Sequence, residues 1–171
     1  MRVTAHNART EAPYFRLLWG QVERDSGVTA QLLARRLLCD LPPEVPDRDM
    51  PVALCAALRA LVRYVPERGQ VIASLSRLLE LGAGDCNDLA PALASLLLSC
   101  GWEPVFLLGW TRKPSGGWLG AHLWVGVSPK GVGFEATPPK LLELDPSTYD
   151  LGQGEVPSSR YERVTLHRRP Q

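Results

Sequence analysis

The chain has 171 residues, 45% of them apolar and 22% charged, with a formal net charge of +1. That length suits one domain, or a core with an accessory lobe, and is enough to bury a substantial core. Near-neutral charge argues against a protein whose main work is coating nucleic acid or anionic membrane, and no apolar run approaches the ~18 residues of a membrane span. The first eleven residues are polar and lack the hydrophobic stretch of a secretion signal, which makes the cytoplasm the expected compartment.

The first hundred residues read as helical. Helices are expected within Ala12 to Asp40, where Val28, Leu32, Leu33, Leu37 and Leu38 recur at three-to-four spacing. A second stripe, Leu54, Leu58, Leu61 and Val62, is set apart by Pro42-Pro43-Glu44-Val45-Pro46, through which neither helix can continue. Ile72 to Leu81 keeps the period through Ile72, Leu75, Leu78 and Leu79 and stops at Gly82-Ala83-Gly84. The next helix carries Leu89, Leu93, Leu96, Leu97 and Cys100 on one stripe and ends at Gly101, a C-terminal signal.

After Gly101 the period changes. Val105 to Trp110 is β-rich, and Lys113 to Gly117 is a turn or flexible loop. Ala121, Leu123, Val125 and Val127 alternate with His122, Trp124 and Gly126 as in a strand. Ser128-Pro129-Lys130-Gly131 reads as a hairpin turn into Val132 to Thr137, and a last strand is expected near Tyr161 to Leu166. Helices followed by an antiparallel sheet define the α+β class. The expected division is a helical extension over residues 1–50, packed on a core over residues 51–171.

Four cysteines stand at 39, 55, 86 and 100, with no C-x-x-C and no H-x-x-x-H. Disulfide, structural metal and cofactor are therefore not expected. Cys39, Cys55 and Cys100 sit in apolar helical surroundings and read as core filler. Cys86 differs. It lies in Gly82-Ala83-Gly84-Asp85-Cys86-Asn87-Asp88, where a loop becomes a helix. A thiol there feels the positive end of the helix dipole, which favours the thiolate. Free N–H groups at the same place suit an oxyanion. Asp85 is a plausible N-cap, with Asn87 and Asp88 competing. If Asp85 caps, Pro91 falls beyond the first turn; if Asp88 caps, it lies inside it.

His122 supplies a base on the strand face opposite Leu123 and Val125, shared with Trp124. A Cys–His pair makes a strong nucleophile near neutral pH. The imidazole needs a partner on its other nitrogen, and Glu135 follows at hairpin distance on the expected next strand. Gln70 is a candidate second oxyanion donor. Trp102, Trp110, Trp118 and Trp124 suit either cleft lining or packing, and the loop Gly116 to Gly120 suits a flap.

Gly84-Asp85-Cys86-Asn87-Asp88-Leu89-Ala90, with its Leu-rich helix, resembles the nucleophile motif of the transglutaminase-like cysteine peptidase superfamily. His122-Leu123-Trp124 resembles its histidine strand, and Phe134-Glu135-Ala136-Thr137 its acidic strand, which usually reads Asp-x-Thr. Val62-Arg63-Tyr64-Val65-Pro66 resembles the lead-in of small bacterial and phage-borne members. The resemblance implies a papain-like core, a triad of Cys86, His122 and Glu135, and thiol acyl transfer on a protein or peptide substrate. Asp145, in Leu144-Asp145-Pro146-Ser147-Thr148, is the competing orienter of His122, because that phrase resembles the family's Asp-Pro-Thr form. Asn87 stands where the family often has Asp. Hydrolysis is favoured over transamidation, and the alternative is a non-catalytic binding or assembly module that keeps the fold.

Overall fold

Helix α1 (Ala8–Asp25) places Phe15, Leu18, Trp19 and Val22 on one stripe at three-to-four spacing, and all four are buried. They belong to a computed structural model that describes residues 8–39, 46, 49–66, 72–112, 118–128, 141–147, 161 and 163–170. Helix α2 (Val28–Leu38) follows after a two-residue turn. Leu33, Leu37 and Leu38 of the expected stripe pack partly buried against the core, but the deepest face of the helix is different. Ala30 and Ala34 are fully buried, whereas Val28 and Leu32 are 70% and 61% exposed. Two alanines one turn apart let α2 approach its neighbour closely, which rotates Val28 and Leu32 out to the flank.

Helix α3 (Met50–Leu61) carries Pro51 in its first turn, where the missing N–H costs nothing, and buries Leu54, Cys55 and Leu58. Strand β1 (Arg63–Tyr64) pairs in parallel with β2 (Ala83–Gly84), bracketing α4 (Leu75–Leu81). The Ser74 side chain caps α4 by accepting from the Arg77 N–H, so the helix starts three residues later than its periodicity suggests. Gly82, at φ 60°, ends it in the left-handed conformation that glycine adopts without strain.

Helix α5 (Cys86–Ser99) is the hub. From Cys86 to Leu97 every residue but Asn87 is buried, as expected of a helix covered on all sides. It contacts all four other helices and both long strands. Its C-terminus closes with Gly101 N–H on the Leu98 carbonyl and Trp102 N–H on the Leu97 carbonyl, Gly101 being left-handed at φ 79°. This is the paired bonding of a Schellman end.

Strands β3 (Pro104–Arg112), β4 (Trp118–Val127), β5 (Leu142–Leu144) and β6 (Arg163–His167) form one antiparallel sheet in the order β5-β4-β3-β6. Alternation sorts the side chains. Phe106, Leu108, Leu123, Val125, Val127 and Leu144 join the helices in the main core. Leu107, Trp124 and Val164 form a second small cluster with Leu141, Tyr161 and Leu166. The expected strand Val132 to Thr137 lies outside the described residues. The described strand beside β4 on that flank is β5, which periodicity did not reveal because three residues carry no period. The α+β arrangement stands, with α5 laid on an antiparallel sheet.

Candidate active site

Residue 84 must be glycine for a steric reason: a Cβ there would stand 2.6 Å from Leu78 Cδ1 and 2.9 Å from Asp88 Oδ2. With the backbone so close, Asp85 turns into the N-cap of α5. Its side chain accepts from the Asn87 N–H at 2.7 Å, and Asp88 Oδ2 accepts from the Asp85 N–H at 3.1 Å. The two make a reciprocal capping box. The other Asp88 oxygen accepts from the Ala73 N–H at 2.7 Å, tying the lead into α4 onto the start of α5. Both carboxylates, buried to 7% and 4% exposure, are thus committed to backbone donors.

Asp85 is therefore the cap, and Cys86 is the first helical residue, whose own N–H has no acceptor inside the helix. Pro91 then lies in the second turn. Its ring is buried and its carbonyl accepts from the Ser95 hydroxyl at 2.8 Å, while α5 continues to Ser99. Beside Cys86, Asn87 Oδ1 accepts from the Tyr14 hydroxyl at 2.6 Å and stands 4.0 Å from the cysteine sulfur. Burial, then the charges of Cys86 and Asp85, raise the Tyr14 pKa and keep the phenol protonated. Tyr64, on β1, is raised by burial and by the charges of Cys86, Asp85 and Asp145, which puts it on the same site.

His122 extends from β4 on the face away from Leu123 and Val125, as the alternation implies. Its ring lies nearly parallel to Trp124 and Tyr161, with centroids 5.9 and 6.0 Å away. Gly109 on β3 makes the stack feasible, because a Cβ there would come within 2.5 Å of Tyr161 and 2.7 Å of Trp124. His122 Nε2 is 2.7 Å from Asp145 Oδ2, and the Asp145 side chain is only 2% exposed. The other oxygen of Asp145 accepts from the Ser147 N–H at 2.9 Å, fixing the carboxylate. This aspartate directly follows the last residue of β5. With Val125 opposite Leu144, Asp145 falls diagonal to His122 on the same face.

Burial lowers the affinity of His122 for a proton, but hydrogen bonds to Asp145 and Cys86, and their charges, outweigh it and raise the pKa from 6.5 to about 9. Burial likewise opposes ionisation of Asp145, yet the hydrogen bond and charge of His122 and the Ser147 N–H hold its pKa below the usual 3.8. The ring thus bonds Asp145 through Nε2 and has its proton stabilised by Cys86 as well. With Nε2 on the carboxylate, Nδ1 is the nitrogen left for the thiol.

These shifts fix a pH dependence. A raised histidine pKa contributes stability that is complete below the unfolded value of 6.5 and lost as pH climbs through about 9. A depressed aspartate pKa contributes stability present above 3.8 and lost as pH falls through its lower folded value. The stability gap between the wild type and Asp145→Asn is therefore expected to be widest between pH 3.8 and 6.5 and to shrink above about 9. Urea unfolding across that range measures it.

Of the residues picked from sequence, Cys86, His122 and Asp145 come together. Glu135 and Gln70 lie outside the described residues, as do Gly116 and Gly117 of the suggested flap. Cys39 departs from expectation: it is exposed, with the Arg36 guanidinium 3.3 Å from its sulfur, at the position that follows the last turn of α2. Cys55 is buried, and burial pushes its thiol up to about 12; Cys100 is half-buried. Trp102 and Trp124 are core residues and Trp110 packs against the core, so packing explains these three, while the side chain of Trp118 is not among those described. Tyr14 went unnoticed in the sequence, where it stands in no motif, and Tyr64 was noted only as part of the lead-in Val62 to Pro66. Among the described residues no helix is long and apolar enough to cross a membrane, and no group of three or more His, Cys, Asp or Glu could hold a metal.

Residues 39–136 match the model of the Transglutaminase-like superfamily. The chain belongs to this superfamily. The matched span includes Cys86, His122 and Glu135 and stops short of Asp145, while α1 and α2 precede it. Two solved structures share the superfamily fold with this chain. A putative cysteine protease from Cytophaga hutchinsonii is 14% identical, with a TM-score of 0.53 over 81% of this chain and 39% of its own. A putative protease from Parabacteroides distasonis is 13% identical, with a TM-score of 0.53 over 75% of this chain and 25% of its own. The chain thus spans well under half the length of either. Comparison with curated protein sequences gives no match.

Proposed function

We propose that this transglutaminase-like chain performs thiol acyl transfer on amide bonds, with peptide or amide hydrolysis as its reaction. Cys86 is the nucleophile, His122 the base and then the acid, and Asp145 the residue that orients the ring. The observation that carries this reading is the His122 imidazole bonded to a buried, backbone-held carboxylate, with the helix-start thiol of Cys86 among the groups that stabilise its proton. With the pKa of the ring raised to about 9, the thiol proton resides on His122 Nδ1 as sulfur bonds to the carbonyl carbon, and the carbonyl oxygen takes the negative charge. The Cys86 N–H, at the positive helix end, faces that charge. As the C–N bond breaks, His122 returns the proton to the leaving amine. Water, deprotonated by the same ring, then cleaves the thioester; an amine in its place would give transamidation.

Competitive alkylation tests the assignment. At about pH 6 an ordinary thiol of pKa about 8.5 is almost wholly protonated. Limiting iodoacetamide is expected to modify Cys86 ahead of Cys39, although Cys39 is the more exposed of the two. His122→Ala is expected to bring Cys86 down to or below the rate of Cys39, read by peptide mass spectrometry. Cys39 outpacing Cys86 in the wild type would sink the enzyme reading and leave a binding module. A peptide-library cleavage assay comparing wild type with Cys86→Ala then tests hydrolysis itself.

A further inference from the structure

The start of α5 offers an oxyanion one backbone donor, the Cys86 N–H, because the next N–H, from Asn87, is already spent on the Asp85 carboxylate. A tetrahedral oxyanion in an acyl-transfer site is ordinarily held by two donors. The Tyr14 hydroxyl is an additional donor at that place. It shares Asn87 Oδ1 with the Cys86 sulfur, standing 2.6 Å from an oxygen that the sulfur approaches at 4.0 Å. Its ring is fixed by an edge-on contact with Phe15, centroids 5.2 Å apart. Phe15 is itself buried and stacked on His167. A phenol O–H rotates about its C–O bond at little cost, so the proton given to Asn87 at rest is free to turn toward a new oxygen. The carbonyl oxygen of Asn87 is a neutral acceptor, and a full oxyanion is a stronger one.

We infer that Tyr14, delivered by α1 from outside the span that matches the superfamily, is the second oxyanion donor of this site. The inference rests on the acyl-transfer reading of Cys86. In the tetrahedral intermediate the hydroxyl leaves Asn87 Oδ1 and donates to the oxyanion. No proton is transferred, and on collapse the hydrogen bond returns to Asn87. Helix α1 is accordingly part of the catalytic apparatus as well as of the core.

Two reactions of the same thiol separate this role from a structural one. Acylation by p-nitrophenyl acetate passes through an oxyanion, whereas alkylation by iodoacetamide displaces iodide at saturated carbon and forms none. Tyr14→Phe keeps the ring and removes only the hydroxyl. It is expected to slow Cys86 acylation by roughly 100- to 1,000-fold, the scale of losing one oxyanion donor, and to leave Cys86 alkylation close to wild type. An unchanged acylation rate would overturn the inference while leaving the nucleophile in place. Equal slowing of both reactions would also overturn it, since Tyr14 would then act only through the placement of the thiol. A wild type without acylation that depends on Cys86 would overturn the acyl-transfer reading and the inference together.

Discussion

Asp145→Asn is expected to lower the Cys86-dependent acyl-transfer rate by about 1,000-fold or more, the scale seen when a catalytic histidine loses its orienting carboxylate. The cause is tautomeric. Asp145 accepts from Nε2, which leaves Nδ1 as the nitrogen that exchanges a proton with the thiol. An asparagine amide there can donate to Nε2 instead, stabilising the ring with its proton on Nδ1, where it cannot act as base. Glu135→Gln is expected to stay within a few-fold of wild type. Burst kinetics with an activated ester, measured across pH for both variants, decide between the two carboxylates. A large loss from Glu135→Gln with an active Asp145→Asn would transfer the orienting role to Glu135.

The second large effect falls on stability. Asp88→Ala is expected to destabilise the fold by about 2–5 kcal/mol, because it strands the N–H groups of Asp85 and Ala73, each orphaned donor costing roughly 1–3 kcal/mol. Asn at the same position keeps one acceptor oxygen and should lose about half as much. Urea midpoints for the three proteins measure the series. An alanine variant as stable as wild type would show that water replaces both bonds. The same series should loosen the first turn of α5, so the alkylation rate of Cys86 is expected to fall in step with stability.

Both predictions rest on residues whose place was partly legible in the chain. Helical periodicity located α3, α4 and α5, since their buried faces are leucine-rich and regular. On α2 it marked Leu33, Leu37 and Leu38, which pack against the core, but missed Ala30 and Ala34 and placed Val28 and Leu32 inward, where both are exposed. Period-two alternation put His122 and Trp124 on one face and Leu123 and Val125 on the other, as observed. Cys86 stood out because a loop-to-helix junction leaves local marks: glycine, a capping aspartate, then the thiol. Asp145 was harder. Strand β5 has only three residues, and its pairing with β4 spans a long stretch of chain that no local pattern encodes. Tyr14 carried no signal at all, since its role depends on a tertiary contact between residues 14 and 87.

The contact of Phe15 with His167 joins α1 to β6, two elements near opposite ends of the described chain, with ring centroids 3.4 Å apart. Between them the candidate site draws on positions 14, 86, 122 and 145. A chain emerging from the ribosome would expose the thiol long before its base, and the base before the carboxylate that orients it. Contacts so far apart in sequence form only after a large loss of loop entropy. On the proposed reading, the cysteine would stay unarmed during synthesis until residue 145 had emerged and β5 had paired with β4. Reactivity would then arrive with the chain that follows β5 rather than with the helix that carries the cysteine, and a nascent chain would be spared its own chemistry.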